Sequence, residues 1–216
     1  PRVNFFASYV ELVRDIVRIF RTERQLFRFL LASAVFRDGL AGVFTYGAII
    51  AAAVFGFSSG EVIVFGIAAN LVAGASTILA GRLDDRFGPR AVILFSLAAL
   101  SVVGLAVFFA HDAAQIVFWV LGLLLCCFVG PAQAAARSLL ARATTPGREG
   151  EIFGLYATTG RAVSFLSSGL WTLFIALLGA TYWGILGIVL VLIAGFVLSA
   201  LVRIGGRPAT GSAPTR

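Results

Sequence analysis

The 216-residue sequence contains no lysine and no methionine, and it has little charge of either sign. Charged residues make up 12% of the chain, whereas soluble domains carry about 25%. Hydrophobic residues make up 60%, and the mean hydropathy is +0.99, so too little polar surface remains to cover a water-soluble globule. The composition therefore excludes a soluble protein and predicts an integral membrane protein.

Residues for enzyme chemistry and metal binding are also scarce. The one histidine, His111, lies in a predicted loop, so an intramembrane serine protease would lack its base at the depth of the serine. Cys126 and Cys127 are adjacent in an apolar run, where they can form neither a normal disulfide nor a metal site. The sequence contains no Walker-type phosphate loop. We therefore expect no enzyme activity, no cofactor and no metal.

Six apolar runs are long enough to cross a bilayer, whose hydrocarbon core of about 30 Å needs about 20 helical residues. Backbone groups in lipid must be paired within their own segment, and the runs are too long for barrel strands, so we predict an all-α membrane protein. Short segments with glycine, proline or polar residues separate the runs. The runs cover residues 27–55, 60–80, 91–110, 115–142, 152–178 and 182–204.

The arginines predict the orientation of these helices. Fourteen of the 17 arginines lie at the two ends of the chain or beside the loops that follow the second and fourth runs. The loops after the first, third and fifth runs contain none. By the positive-inside rule, both termini are therefore cytoplasmic. The net charge of +7 reflects this topology, so we expect no nucleic-acid partner.

The chain divides into three predicted parts. Residues 1–25 have an apolar face and an arginine face at helical spacing, which fits either an amphipathic linker helix at the cytoplasmic membrane surface or a linker packed on protein. Residues 26–204 form the six-helix transmembrane part, and residues 205–216 form a disordered cytoplasmic tail. The sequence does not begin with methionine, so we expect it to be a piece of a longer protein.

A charged motif, GRLDDRFGPR, occupies residues 81–90 after the second run. Its glycines suit a tight turn, and its aspartates and arginines suit a charged contact between helices. The motif resembles the G-x-L-a-D-r-x-G-x-r signature of the major facilitator superfamily. Asp84 and Pro89 depart from that signature, and the matching residues are Gly81, Leu83, Asp85, Arg86, Gly88 and Arg90.

This resemblance implies a role for the motif. In the superfamily, the aspartate that corresponds to Asp85 helps to lock a cytoplasmic gate against a helix N-terminus and an arginine. We therefore expect Asp85 to engage Arg142 or Arg137 at the cytoplasmic end of the fourth run.

A second set of segments comprises RSLLAR at 137–142, PGRE at 146–149, FGLY at 153–156, GRAVSFL at 160–166, and FLL at 29–31 with DG at 38–39. These segments resemble the vacuole-effluxer-like branch of the same superfamily. The resemblance implies the second half of a twelve-helix secondary transporter that moves a small polar solute such as an amino acid. We expect the membrane to be the plasma membrane of a prokaryote. The partners of this half would be the bilayer, the missing N-terminal half and the solute. The alternative is a half-size protein that acts as a homodimeric carrier or as a non-transporting interaction module.

Polar side chains distinguish the runs from one another. The first, second, fourth and fifth runs contain several, so we expect them to line a cavity. The third and sixth runs are almost wholly apolar, and we expect them to face lipid on most sides.

Three charged residues, Arg37, Asp38 and Arg161, lie about nine residues from the cytoplasmic ends of their runs, which is roughly 13 Å deep. Charges at this depth are costly and usually functional. We hypothesise that Asp38 pairs with Arg161, structurally or for transport, and that Arg37 faces the cavity or the missing half. Arg37 would favour an anionic or zwitterionic solute, and Asp38 could couple transport to protons. The candidate solute or coupling residues are Arg37, Asp38, Arg161, Tyr46, Asn70, Gln133 and Tyr156.

Overall fold

The computed structural model describes residues 24–202, which form a bundle of seven α-helices. The predicted tail and nearly all of the predicted linker of residues 1–25 lie outside this range. The all-helical fold is confirmed. The helices are α1 (Arg24–Ala53), α2 (Ser59–Phe87), α3 (Pro89–Phe109), α4 (Gln115–Ala143), α5 (Glu149–Val163), α6 (Leu166–Leu178) and α7 (Gly184–Leu201), with a 3₁₀ turn (Thr181–Trp183) before α7.

Five segments are long and apolar enough to cross a membrane, namely α2, α3, α4, α5 with α6, and α7. Their presence confirms an integral membrane protein and five of the six predicted spans. The first helix, α1, carries Arg28, Arg37 and Asp38 and is not one of the five.

The fifth predicted helix is interrupted. Ser164 and Phe165 form a turn between α5 and α6, so the expectation of one continuous helix over residues 152–178 is wrong at this point. Neither residue is glycine or proline, and the sequence therefore carries no breaker there. The turn begins a new helix inside the bundle, and the first N–H groups of that helix need acceptors from elsewhere.

The two most apolar helices, α3 and α7, lie at the centre of the bundle. The helix α3 packs on α4 and α7, and α7 also packs on α1 and α6. In the most apolar 18 residues of each span, 56% are buried for α3 and 50% for α7, against 11% for both α2 and the α5–α6 segment. The expectation that the third and sixth runs face lipid on most sides is therefore wrong for this chain.

Small residues explain this central position. A Cβ at Gly195 of α7 would collide with Phe36 of α1, and one at Gly104 of α3 would lie 2.7 Å from Val189 of α7. These glycines let the helix backbones approach closely. The open faces of the bundle consequently belong to α2 and to α5–α6.

Aromatic side chains gather at one end of the bundle. The Phe57 ring contacts those of Phe118 and Trp119, and His111 stacks on Tyr182 with ring centroids 4.0 Å apart. These contacts join the three arginine-free loops, as expected for a membrane–water interface. The arginine-bearing loops lie at the opposite end.

Candidate functional site

Arg37 of α1 lies against Tyr156 of α5. Its guanidinium carbon is 4.0 Å from the centre of the Tyr156 ring, and its Nη1 donates a hydrogen bond to the Tyr156 carbonyl at 3.0 Å. Gly160, one turn further along α5, provides the space, because a Cβ there would lie 2.9 Å from Nη1. Arg37 is half-buried and Tyr156 is buried. Together these contacts hold the planar guanidinium in one orientation.

Asp38, the next residue, binds a different helix. Its Oδ2 accepts the backbone N–H of Ser167, the second residue of α6, at 2.6 Å. Asp38 is only 7% exposed, so the contact is shielded from water. A carboxylate at this place satisfies one free N–H of α6 and complements the positive end of the helix dipole.

The hypothesis that Asp38 pairs with Arg161 is wrong. No ion pair joins the two side chains in the described part of the chain, and Arg161 is exposed. The turn at Ser164 and Phe165 accounts for this, because it presents a backbone N–H to Asp38. Adjacent side chains on a helix point about 100° apart. Arg37 therefore contacts α5, while Asp38 contacts α6.

The charged motif of residues 81–90 connects the C-terminal ends of α2 and α4. Asp84 accepts hydrogen bonds at Oδ2 from the Ser138 hydroxyl at 2.6 Å and from Nη2 of Arg142 at 3.1 Å. Asp85 lies 3.6 Å from the same Arg142 nitrogen, and its side chain is 83% exposed. The expected contact of Asp85 with Arg142 is therefore present, but Asp84, which departs from the signature, makes the shorter and better buried one. We call Asp84, Ser138 and Arg142 the α2–α4 latch.

A family model described as vacuole effluxer Atg22-like matches residues 4–206. The chain belongs to this family. The Atg22-like family consists of transporters of the major facilitator type and not of enzymes, which confirms the family resemblance and the prediction about enzyme activity.

Two curated relatives illustrate the match. The uncharacterized MFS-type transporter YxiO of Bacillus subtilis is 26% identical over 199 residues, which cover 90% of this chain and 45% of that protein. Autophagy-related protein 22 of Cryptococcus neoformans is 27% identical over 183 residues, which cover 78% of this chain and 32% of that protein. The Atg22-like chain thus spans less than half the length of these relatives.

The other predicted site residues lie on several helices of this Atg22-like chain. Tyr46 of α1 stacks on Trp171 of α6 with ring centroids 4.3 Å apart. Asn70 is exposed and donates to the Gly66 carbonyl of its own helix, and Gln133 is half-buried in α4. Of the seven solute or coupling candidates, Arg37 and Tyr156 are in direct contact with each other.

The remaining motif residues take structural positions. Arg90 donates from Nη2 to the Ala200 carbonyl in the last turn of α7 at 2.9 Å, where a cation complements the helix dipole. The Arg86 guanidinium lies 5.3 Å from the centre of the Phe87 ring. Gly88 has a φ of 82° and is the one residue between α2 and α3, while Gly81 and Leu83 are exposed.

Three contributing residues were not among the predicted site residues. Ser138 lies one turn before Arg142, so its spacing of four residues along α4 was a signal that both face α2. Gly160 contributes only the space that Arg37 fills. Ser167 contributes a backbone N–H, which no side-chain pattern reveals.

Proposed function

We propose that this Atg22-like chain is the C-terminal six-helix half of a twelve-helix secondary transporter that moves a small polar solute by alternating access. The observation that carries the proposal is the family match over residues 4–206. The lengths of the relatives support a missing half, because each relative is more than twice as long as the matched part. The open faces of α2 and α5–α6 are the surfaces that the missing half would cover.

In this proposal α1 also crosses the membrane, which brings the number of spans to six. Both termini are then cytoplasmic. The arginine distribution supports this orientation, and the aromatic clusters at the opposite end are consistent with it. A bacterial relative among the matches agrees with the plasma membrane of a prokaryote as the location.

The α2–α4 latch then lies at the cytoplasmic mouth of the transport pathway. Asp84 joins α2 to α4 within this half, and the side chain of Asp85 beside it is exposed enough to reach a donor from the other half. The intramembrane contacts of Arg37 and Asp38 lie deeper, between α1 and the two parts of the interrupted helix. Asp38 is the candidate proton-coupling residue, since it is a buried acidic side chain between α1 and α6.

The test uses the complete protein that contains this chain, reconstituted in lipid vesicles. We expect saturable, labelled amino-acid uptake that a proton gradient accelerates, and an Asp38→Asn variant that still transports but no longer responds to the gradient. The matched control is Asp112→Asn, whose side chain is 92% exposed in a loop. Uptake that is indifferent to the gradient in the unaltered protein contradicts proton coupling.

Two further outcomes decide between the proposal and its alternatives. Folded protein that moves no solute of a broad polar panel contradicts a transporter and favours an interaction module. Transport by the 216-residue chain alone, in dimeric form, favours the half-size carrier.

A further inference from the structure

The positive charge of Arg37 is not neutralised by the described chain. Within residues 24–202 no carboxylate lies within ion-pair distance of its guanidinium. The adjacent carboxylate of Asp38 is bound to the Ser167 N–H. An uncompensated charge at membrane depth costs at least about 2.5–3.5 kcal/mol. Such a charge needs an anion that the described residues do not supply.

Most of the guanidinium's hydrogen-bonding capacity is also unused. An arginine has five N–H donors, and Arg37 makes one hydrogen bond, from Nη1 to the Tyr156 carbonyl. The Tyr156 ring covers one face of the guanidinium and leaves its edge available. A planar guanidinium edge matches the two oxygens of a carboxylate, which it binds with two parallel hydrogen bonds.

A second arginine is also without an acidic partner. Arg137 of α4, one of the two arginines expected at the gate, is exposed and has no ion-pair partner among the described residues. Of Arg37 and Arg137, Arg37 is the one held against Tyr156.

We infer that Arg37, oriented by Tyr156, is the anion subsite of the transport pathway and binds the carboxylate of a carboxylate-bearing solute. The inference rests on the proposed function and adds to it the residue that binds the carboxylate of the solute. Asp38 forms no ion pair with Arg37, because its carboxylate is bound to the Ser167 N–H of α6.

The test compares solutes that differ only in the carboxylate. Unlabelled alanine, leucine and phenylalanine compete with a labelled amino acid for uptake by the complete protein, in parallel with their carboxamides. In the unaltered protein we expect the carboxylates to compete at least about ten-fold better, since a charged hydrogen-bonded pair contributes about 1.5–3 kcal/mol. Arg37→Gln removes this preference, and Arg37→Lys retains part of it because the charge persists without the planar fork.

The control variant is Arg28→Gln, which removes an exposed arginine from the same helix and leaves the preference unchanged. A second measurement, thermal stabilisation of the purified protein by the same solutes, does not depend on transport. Stabilisation by carboxylates and not by carboxamides, lost in Arg37→Gln, supports the subsite even if no uptake occurs, in which case only the proposed function fails.

Other results overturn the inference. Equal competition by carboxylates and carboxamides during active uptake contradicts the anion subsite but not the proposed transport function. An Arg37→Gln variant that loses stability but keeps the carboxylate preference indicates an acidic residue of the other half as the partner of Arg37. Absence of both uptake and stabilisation contradicts both proposals.

Discussion

Charged residues make two different kinds of contact at two levels of this bundle. In the α2–α4 latch, at the boundary with water, Asp84 and Arg142 bind each other directly. Near the middle of α1, the adjacent Arg37 and Asp38 bind backbone groups of the two parts of an interrupted helix. Exposed groups such as Arg142 can exchange a partner for water, whereas the carboxylate of Asp38, 7% exposed, is shielded from water. The comparison indicates that the latch is the easier contact to release, and that the α1 contacts hold the site together.

The largest expected effect breaks the deeper contact. Asp38→Ala leaves the Ser167 N–H without its acceptor and should lower the free energy of unfolding of the complete protein by about 2–3 kcal/mol. Asp38→Asn keeps an acceptor oxygen and should cost about half as much. Denaturant unfolding in detergent, followed by tryptophan fluorescence, measures both. Asp112→Ala in an exposed loop is the control, and a loss at Asp38 no larger than this control contradicts the buried role.

An intermediate effect is expected at the latch, where two neighbouring aspartates provide a matched pair. Asp84→Ala removes the acceptor of Ser138 and Arg142 and should cost about 1–2 kcal/mol. Asp85→Ala, with its exposed side chain 3.6 Å from Arg142, should cost about 0.5 kcal/mol or less. Double-mutant cycles with Arg142→Ala measure each coupling energy separately. A stronger coupling for Asp85 would reverse our assignment of the main contact.

The smallest effect tests whether the space at Gly160 positions the guanidinium of Arg37. Gly160→Ala puts a Cβ 2.9 Å from Nη1 and 3.1 Å from Cζ of Arg37, so the guanidinium must move, at a cost of about 1 kcal/mol and with a weaker carboxylate preference. Gly154→Ala, in the same helix with open space around it, should instead stabilise slightly, by up to about 1 kcal/mol. Unfolding and competition measurements should separate the two variants, and equal behaviour would show that Gly160 provides no needed space.

The helices themselves were largely predictable from the sequence. The run at 115–142 became Gln115–Ala143, and the run at 91–110 became Pro89–Phe109, because apolar length and flanking breakers decide where a spanning helix begins and ends. The turn at Ser164 and Phe165 was not predictable in this way. The turn contains neither glycine nor proline, and Asp38, which supports the new helix start, lies far away in the chain.

The candidate site was predictable in its members but not in its pairings. Arg37, Asp38 and Tyr156 stood out because charged and polar groups are rare in apolar runs. Their partners depend on the rotation of α1 against α5 and α6, which the sequence of α1 does not encode. The same limit applies to Asp84 and Asp85, since the register of α2 against α4 decides which of two adjacent carboxylates turns inward.

The single-residue connection at Gly88 also constrains how the protein can move. With α2 ending at Phe87 and α3 beginning at Pro89, the two dihedral angles of Gly88 are the main soft joint between these helices, and the proline ring fixes its own φ. The two helices can swivel about this joint, but they cannot slide apart. Arg90, two residues on, is tied to the end of α7 through the Ala200 carbonyl. Any tilt of α2 is therefore transmitted mechanically to the centre of the bundle, so the C-terminal ends of α2 and α7 and the N-terminal end of α3 are coupled as one linkage.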